Sequence, residues 1–593
     1  MTTIIGIASI CALTFAPIAS GQERARLRNL DQRDLQLEMT RLATEHPTLV
    51  TVIPVGESRG KRRIEALRVA GGELSVGRPA LLIVANIDGP LVWTSALALD
   101  HVRELTSRYS TDARVKALLD TTTLYVIPRV DADAAEARFA TPLYEETASG
   151  PGIDDDRDGR QGEDPPSDVD DDGKIAWMRV PDPLGEWMVD PLDARVSIKA
   201  DRAKGQRGAF KLVREGRDGD KDGTASEDRP FDTVLNRNFP QGWIEHGANS
   251  GRFATDEPGA RALCDFVLLH KDITLVLTYG ALDNVVDKPK TEGKTPRLST
   301  NPAEGIPEGD ALVLAELGKR FTAVGRAVKG DGKDAGTFQA WAQAQRGLWT
   351  VNVNPWSMPL DEAAPKKDGD STTTPKKDGE SNTPAKKEGD TAPTLEKEGD
   401  TAAPRKKGDD KETPSDDSKR LRWIDAKDES ARFIAWKKFA HPELGEVEIG
   451  GFAPYATVEP PDADRAEIAS KNTEAVLQLA ESLPRARLVD VTATDLGAGL
   501  WQIEGALAND SMLPYASALA VRTEGVRPVR VALALPNGAT LLAGNKQELV
   551  RDLPGSGGRK EFRWIVRGAA PSALTVSIDS DGMGAASVIP EVK

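Results

Sequence analysis

Between residues 27 and 358, short apolar runs rich in β-branched residues alternate with amphipathic helical patterns, and no other feature constrains the fold as strongly. Parallel strands need a crossover connection, which is usually a helix, so this alternation predicts a layered α/β domain. The predicted strands are residues 49–54, 64–69, 80–85, 123–127, 273–277 and 348–353. The predicted helices are residues 91–107, 259–270, 310–324 and, much later in the chain, 464–482. We therefore expect three layers, α/β/α, around a mixed, mostly parallel central sheet.

At 593 residues the chain is too long for one typical domain, and its composition changes along its length. Residues 361–420 form a degenerate repeat rich in Lys, Asp, Glu, Pro and Thr, with almost no large apolar side chain. Such a segment cannot offset its ordering entropy, so we expect it to be disordered. A globular pattern then returns and ends in a helix that can pack on the first part. We therefore interpret the repeat as an insertion within one domain.

The last hundred or so residues differ from the rest, because short strand-like runs are separated by turn residues. This pattern predicts a C-terminal antiparallel β-sandwich. The predicted segments are a signal peptide at 1–21, the α/β domain in two parts at 27–360 and 421–484, the disordered insertion at 361–420 and the sandwich at 485–593.

The N-terminus predicts export. An apolar run from Ile4 to Ile18 ends in Ala19-Ser20-Gly21, which is typical of a secretory signal peptide. No later run supplies the roughly 20 consecutive apolar residues of a membrane helix, so we expect a secreted or periplasmic protein that is not integral to a membrane. The net charge of −16 argues against a nucleic-acid partner. Cys264 is the one cysteine of the mature chain, and its helical pattern predicts a buried thiol without a disulfide.

Four motifs follow one another along the first part of the chain. They are Val-Gly-Glu-Ser-Arg-Gly at 55–60, a strand running into a helix at 80–92, Tyr-Val-Ile-Pro-Arg-Val-Asp-Ala-Asp-Ala at 125–134 and Leu-Asn-Arg-Asn-Phe-Pro at 235–240. In this order and spacing they resemble the carboxypeptidase A-like zinc carboxypeptidases, and the chain looks like a divergent bacterial-type member. The resemblance implies a carboxypeptidase-like fold for the α/β domain and a family of peptidases that use zinc held by two His and one Glu.

This chain departs from the family at every catalytic position. The resemblance places Asp88 at the first His, Leu91 at the Glu ligand, Gly280 at the second His and Asn352 at the general base. Leucine and glycine offer zinc no donor, and an amide is too weak a base to deprotonate water. The one His-x-x-Glu run begins at His101, too late in the chain, and we expect it on the solvated face of a helix. The sequence thus predicts no zinc site and no catalytic residue, and leaves open whether the protein is an enzyme.

The substrate-binding positions are retained. Asn236 and Arg237 match the family residues that hold the terminal carboxylate of the substrate, and Arg179 is placed where an arginine steadies the carbonyl oxygen. A guanidinium group suits a carboxylate because its planar fork donates two parallel hydrogen bonds. The resemblance therefore implies a peptide or another carboxylate-ended ligand as the partner.

Three acidic turns share the pattern Asp-x-Asp-x-Asp-Gly. Alternating carboxylates on a tight glycine turn converge on one point and suit Ca²⁺, which takes six to eight oxygen ligands. None of the turns has the Glu expected at the twelfth position of an EF-hand. We predict at least one structural calcium site, with candidate ligands Asp154, Asp156, Asp158, Asp168, Asp170, Asp172, Asp218, Asp220 and Asp222.

Three hypotheses follow. The first is an exported, catalytically impaired pseudo-peptidase that retains a pocket for a peptide C-terminus. The second is an active zinc metallocarboxypeptidase, acting in proteolysis, whose zinc site lies elsewhere in the chain; it requires zinc as cofactor. The third is a calcium-stabilised cell-surface or extracellular binding module with the sandwich as its interacting part.

Overall fold

The computed structural model describes residues 27–72, 77–150, 164–219, 225–226, 233–289, 291, 305–330, 335–360 and 414–593. The predicted signal peptide and most of the predicted insertion lie outside the described residues. The end of that insertion is described, and a helix begins there at Asp416.

The α-helices of the described residues are α1 (Gln32–Glu45), α2 (Trp93–Arg108), α3 (Ala113–Thr121), α4 (Ala132–Glu136), α5 (Pro258–Leu269), α6 (Glu308–Val324), α7 (Phe338–Ala344), α8 (Asp416–Lys427), α9 (Asp462–Glu481) and α10 (Ala518–Thr523). Their strands are β1 (Val50–Glu57), β2 (Arg63–Val69), β3 (Ala80–Val84), β4 (Thr123–Ile127), β5 (Trp177–Pro181), β6 (Trp187–Asp190), β7 (Asp193–Lys199), β8 (Phe210–Arg214), β9 (Ile273–Tyr279), β10 (Trp349–Val353), β11 (Phe433–His441), β12 (Gly445–Phe452), β13 (Ala486–Gly497), β14 (Leu500–Asn509), β15 (Val529–Ala534), β16 (Thr540–Ala543), β17 (Gln547–Val550), β18 (Gly558–Arg567), β19 (Thr575–Asp579), β20 (Ala586–Val588) and β21 (Glu591–Val592).

The central sheet has six strands in the order β1-β2-β4-β3-β9-β10. Strands β4, β3, β9 and β10 run parallel to their neighbours among these four, and β1 and β2 add an antiparallel edge. Helices α1, α2, α3, α6 and α9 contribute to the core on one face, and α5 and α7 contribute to the core on the other. The predicted three-layer fold with a mixed, mostly parallel sheet is confirmed.

Strand β3 shows how one short segment serves both cores. All five of its side chains are buried, and because successive side chains of a strand point to opposite faces, they divide between two clusters. Leu81 and Ile83 pack in the core beneath α2, whereas Leu82 and Val84 pack in the core beneath α5. Each such side chain contributes on the order of 1.5–3 kcal/mol by leaving water.

Helix α2 is buried on the face that the sequence predicts to be solvated. His101 is 0% exposed; its Nδ1 lies 2.7 Å from Thr473 Oγ1 and its Nε2 lies 2.9 Å from the Tyr279 hydroxyl. Burial lowers the pKa of His101 to about 3, so the ring is neutral. The prediction of a solvated His101 is therefore wrong. His101 is buried because α9, which follows the insertion in the sequence, packs on this face of α2.

A second six-stranded sheet was not predicted. Its order is β11-β12-β5-β8-β6-β7, and all its pairings are antiparallel. Strands β5 to β8 precede the insertion and the hairpin β11–β12 follows it, so the two flanks of the insertion meet where Met178 pairs with Ile449. Its strands are only partly buried, which gives them a weak apolar alternation in the sequence.

The last part of the chain forms two packed sheets, in the orders β16-β18-β14-β13-β21 and β17-β15-β19-β20. Their pairings are antiparallel except for the short pairing of β21 with β13. Side chains of both sheets share one core, in which Leu507, Val531 and Trp564 are at most 1% exposed. The predicted C-terminal β-sandwich is confirmed.

The sandwich docks at the end of the central sheet where the parallel strands begin. Gly77 precedes β3, and a Cβ atom there would lie 1.8 Å from the carbonyl oxygen of Ser580. Gly347 precedes β10, and a Cβ atom there would lie 2.3 Å from Ala520 Cβ. Asp310 caps α10, because its carboxylate accepts hydrogen bonds from the N–H groups of Ala518 at 2.8 Å and Leu519 at 3.1 Å. The opposite ends of the strands remain uncovered by the sandwich.

We expect Asp310→Ala to lower the free energy of unfolding by about 1–3 kcal/mol, because two N–H groups lose their acceptor at a buried contact. The change is measured by urea denaturation followed by tryptophan fluorescence. Glu308→Ala, at an exposed position in the same first turn of α6, is the matched control and should change this free energy by less than about 0.5 kcal/mol. Equal effects of the two substitutions would contradict a docking role for Asp310.

Candidate functional site

The catalytic positions of the resemblance meet at the carboxyl ends of β3, β9 and β10. The turn after β3 begins at Asn86, whose φ of 45° is left-handed, a conformation that asparagine tolerates. Its side-chain amide donates to the carbonyl oxygens of Asp88 at 3.2 Å and Gly89 at 3.0 Å. Its backbone N–H donates to Thr94 Oγ1 at 2.9 Å. The loop is therefore held in a fixed turn that leads into α2.

The Asp88 side chain lies at the centre of this site, between Asn236 and Ala281. Its Oδ1 accepts a hydrogen bond from Asn236 Nδ2 at 3.1 Å, and its Oδ2 accepts one from the Ala281 N–H at 2.7 Å. A Cβ atom at Gly280 would lie only 2.5 Å from Asp88 Oδ2. The carboxylate thus fills the space that any side chain at position 280 would need. The position of the Asp88 carboxylate therefore depends on the absence of a side chain at Gly280.

The remaining catalytic positions are occupied by neutral groups. Leu91 is 4% exposed and has no donor atom. Asn352 is 7% exposed, and its Oδ1 accepts a hydrogen bond from Thr278 Oγ1 at 3.1 Å. Gln339 extends this network, because its Nε2 donates to the same hydroxyl at 3.3 Å. These residues do not fit zinc, which needs three His, Cys or carboxylate donors and an open position.

Asn236 and Arg237 lie in the single 3₁₀ turn Leu235–Arg237. The Asn236 amide is 3% exposed and is engaged at both ends, since its Nδ2 donates to Asp88 and its Oδ1 accepts from the Phe338 N–H at 3.1 Å. Arg237 is half-buried and forms no ion pair with the described part of the chain. Of the two predicted carboxylate-binding residues, Arg237 is therefore the one whose polar group is available.

Arg179 lies on β5 in the second sheet and is 5% exposed. Its guanidinium donates to Ser197 Oγ at 2.9 Å and to Glu448 Oε2 at 3.3 Å, and its central carbon lies 3.9 Å from the ring centre of Trp436. None of these contacts is shared with Asn236. The structure thus joins Asp88, Asn236, Gly280 and Asn352 in one site, whereas every contact of Arg179 lies within the second sheet.

The acidic turns are described only in part. Asp154, Asp156, Asp158, Asp220 and Asp222 lie outside the described residues. Carboxylate oxygens of Asp168, Asp170 and Glu215 lie within 4.8 Å of one another, and they are the one such cluster among the described residues. Asp172 instead accepts the Lys174 N–H at 2.9 Å. Glu215 was not predicted, because it is far from the turn in sequence and reaches it only through the pairing of β5 with β8.

Glu215 is 0% exposed and holds the acidic turn through backbone groups. Its Oε1 accepts a hydrogen bond from the Val169 N–H and its Oε2 accepts one from the Ala176 N–H, both at 2.8 Å. Burial, with repulsion from Asp170, raises the pKa of Glu215 to about 7. Burial also raises the pKa of Asp170. A bound cation would relieve this repulsion, and the calcium site stays a prediction.

We expect Ca²⁺ to raise the thermal unfolding midpoint at pH 8 and to raise it less at pH 5. Because the folded-state pKa of Glu215 is about 7, above its ordinary 4.5, its contribution to stability is present below about pH 4.5 and lost as pH rises through 7. Calcium acts in the opposite direction, since it binds the ionised carboxylates. Glu215→Gln should remove most of the calcium effect, and Glu186→Gln, at an exposed position of the same sheet, should not. An equal calcium response in both variants would rule out the cluster.

Comparison with known protein families identifies the first part of the chain. The family described as "Zinc carboxypeptidase" matches residues 36–178, which run from within α1 to the start of β5. This part of the chain is similar to the zinc carboxypeptidase family. A second family, described only as a domain of unknown function, matches residues 485–589, within the sandwich.

Individual relatives carry the same family name. A protein named "Zinc carboxypeptidase" from Saccharothrix mutabilis subsp. capreolus is 28% identical over 108 residues, which is 18% of this chain and 25% of that protein. Among solved structures, carboxypeptidase A from Helicoverpa armigera is 13% identical, with a TM-score of 0.34, and the alignment covers 58% of this chain and 68% of that one. A metallocarboxypeptidase from Pseudomonas aeruginosa, solved with (2-guanidinoethylmercapto)succinic acid, is 14% identical with a TM-score of 0.26, covering 53% and 58% of the two chains. This chain therefore spans a quarter of the length of the curated zinc carboxypeptidase relative.

We expect Gly280→Ala to lower the free energy of unfolding by about 1–3 kcal/mol, because the new methyl group would meet the Asp88 carboxylate. In the double variant Asp88→Ala/Gly280→Ala the cost should fall below the sum of the single costs by about 1 kcal/mol or more. Gly309→Ala is the matched control, because nothing lies within 4 Å of its Cβ position. Additive costs at positions 88 and 280 would show that the two residues do not share one space.

Proposed function

We propose that this protein is an exported, zinc-carboxypeptidase-like protein that is catalytically impaired and binds a peptide C-terminus or a similar carboxylate-ended ligand. One observation carries the proposal: the Asp88 carboxylate occupies the space beside Gly280 and is held by Asn236 and the Ala281 N–H. With Leu91 at the third ligand position, a single carboxylate is left for a metal that needs three donors. Fold alone does not grant activity.

The binding role rests on Arg237 rather than on the Asn236–Arg237 pair. A ligand carboxylate must compete with Asp88 for the Asn236 amide, whereas the Arg237 guanidinium has no ionic partner among the described residues. The guanidinium can donate two parallel hydrogen bonds to a carboxylate, and such charge-assisted pairs are the strong ones. Arg237 would thus bind and orient the ligand, and no described group at the site would activate water.

The second candidate function is an active metallocarboxypeptidase with a zinc site elsewhere in the chain, and the similarity of residues 36–178 to the zinc carboxypeptidase family favours it. The two functions differ in the metal content of the mature protein. We expect well below one zinc per chain by elemental analysis, and no chelator-sensitive release of C-terminal residues when Zn²⁺ is added. Stoichiometric zinc with chelator-sensitive release would establish the active enzyme instead.

We expect a peptide with a free C-terminus to bind the mature protein and its C-terminally amidated form to bind at least tenfold more weakly, by calorimetry. Arg237→Met should weaken the free peptide about tenfold or more, because a hydrogen-bonded charge contributes about 1.5–3 kcal/mol. Arg33→Met, at an exposed position of α1, is the matched control and should leave the affinity unchanged. Equal binding of the amidated peptide would contradict carboxylate recognition.

A further inference from the structure

The second sheet carries a cavity of about 340 Å³ on its face towards α8, far along the chain from the catalytic positions. Three half-buried tryptophans, Trp177, Trp187 and Trp436, contribute to its lining. Ligand pockets of this size are typically lined by aromatic side chains with a few polar groups that fix the orientation of the ligand. Of the lining residues, Glu145 and Trp177 lie within the matched range 36–178, and the others lie outside both matched ranges.

The tryptophans are held in place by the sheet. Trp436 donates from Nε1 to the carbonyl oxygen of Arg195 at 2.7 Å, and Arg179 stacks on its ring. Gly451 lies between two of the indoles, since a Cβ atom there would lie 3.3 Å from Trp177 Cδ1 and 3.5 Å from Trp436 Cζ2. Its φ of 104° also favours glycine. The buried Arg179 thus acts as a positioning residue for an aromatic surface.

Two of the three arginines that line the cavity form ion pairs. Arg195 is bound by Asp193 and Asp425 at 2.8 Å, and Arg420 is bound by Asp417 at 2.9 Å. Arg214 forms no ion pair with the described residues.

The guanidinium of Arg214 is held by stacking instead. Its central carbon lies 4.0 Å from the ring centre of Trp177 and 5.7 Å from that of Tyr144. Glu145, which also lines the cavity, accepts the Tyr455 N–H at 2.6 Å. Burial raises the pKa of Glu145, and the opposing attraction of the nearby Arg214 charge offsets only part of this rise, so Glu145 is a weak counter-ion for Arg214.

These groups select among ligand chemistries. A cation already lies over each of the three indoles: Arg179 on Trp436, Arg214 on Trp177, and Lys199, whose Nζ lies 5.4 Å from the ring centre of Trp187. A cationic ligand would therefore be repelled. A flat apolar surface of a ligand can pack on the indole rings. The Glu145 carboxyl and the Ser197 hydroxyl, which also line the cavity, can accept hydrogen bonds from ligand hydroxyl groups, and the Ser197 hydroxyl can also donate one. A ring with an apolar C–H face and a hydroxylated edge fits both features. The guanidinium of Arg214, which forms no ion pair with the part of the chain that the structure describes, adds a site for a carboxylate.

We propose that this cavity binds an acidic sugar, with a sugar ring on the tryptophans and its carboxylate on Arg214. This site is independent of the proposed peptide site at Arg237, because the two arginines lie in different structural units and share no contact partner.

The test uses the full mature chain and calorimetry with trigalacturonic acid, together with a neutral galactose trisaccharide and an acetylated peptide ending in tryptophan. We expect the uronate to bind with a change in tryptophan fluorescence, and both other probes to bind at least tenfold more weakly at this site. Arg214→Met should weaken the uronate at least tenfold, and Arg214→Lys should restore only part of that loss, because lysine lacks the planar fork. Arg202→Met, at an exposed position of the same sheet region, should leave binding within twofold.

Each contrary result overturns the proposal in a different way. Equal binding of the neutral trisaccharide would remove the role of the carboxylate, and tighter binding of the tryptophan peptide in competition with the uronate would make the site a peptide site. If none of the three probes binds the folded chain, the cavity is not a binding site for an acidic sugar. Arg237→Met should leave uronate binding unchanged, so failure here is distinguishable from failure of the proposed peptide function.

Discussion

The architecture depends on the burial of the parallel strands on both faces. Strand β3 places alternate side chains in two cores, so the chain must supply a helical layer on each side of the central sheet. One of these layers is completed by α9, which follows the insertion. This double coverage holds the strand ends in place whatever residues they carry.

At the carboxyl ends of these strands, the positions that the resemblance assigns to catalysis are joined by hydrogen bonds and close packing. The Asp88 carboxylate is turned inward onto Asn236 and the Ala281 N–H, next to a glycine that leaves it room. Asn352, Thr278 and Gln339 join in a network of neutral groups. Buried polar groups stabilise a site only when their hydrogen bonds are made, and this arrangement satisfies the Asp88 carboxylate without a metal ion. Among the described residues, the same contacts leave Arg237 as the polar group of the site that is available to a ligand.

The second sheet concentrates the features that the carboxypeptidase fold does not explain. Arg214 ends β8 and lines the tryptophan cavity, and the next residue, Glu215, holds the acidic turn. Successive residues of an extended chain point in opposite directions, so one strand end serves both places. The hairpin β11–β12 completes the sheet from beyond the insertion, and Arg179 supports its Trp436.

The sequence alone determined the six strands of the central sheet, the four helices α2, α5, α6 and α9 and the C-terminal sandwich. It also fixed which residues stand at positions 88, 91, 280 and 352. Those features are local, because apolar periodicity and residue identity are properties of short segments. Only the tertiary structure decided that His101 is buried under α9 and that the Asn236 amide donates a hydrogen bond to Asp88. It also decided that Arg179 stacks on Trp436 and that Glu215 lies beside the acidic turn. Each of these contacts joins residues far apart in the chain, and such contacts leave no periodic signal in the sequence.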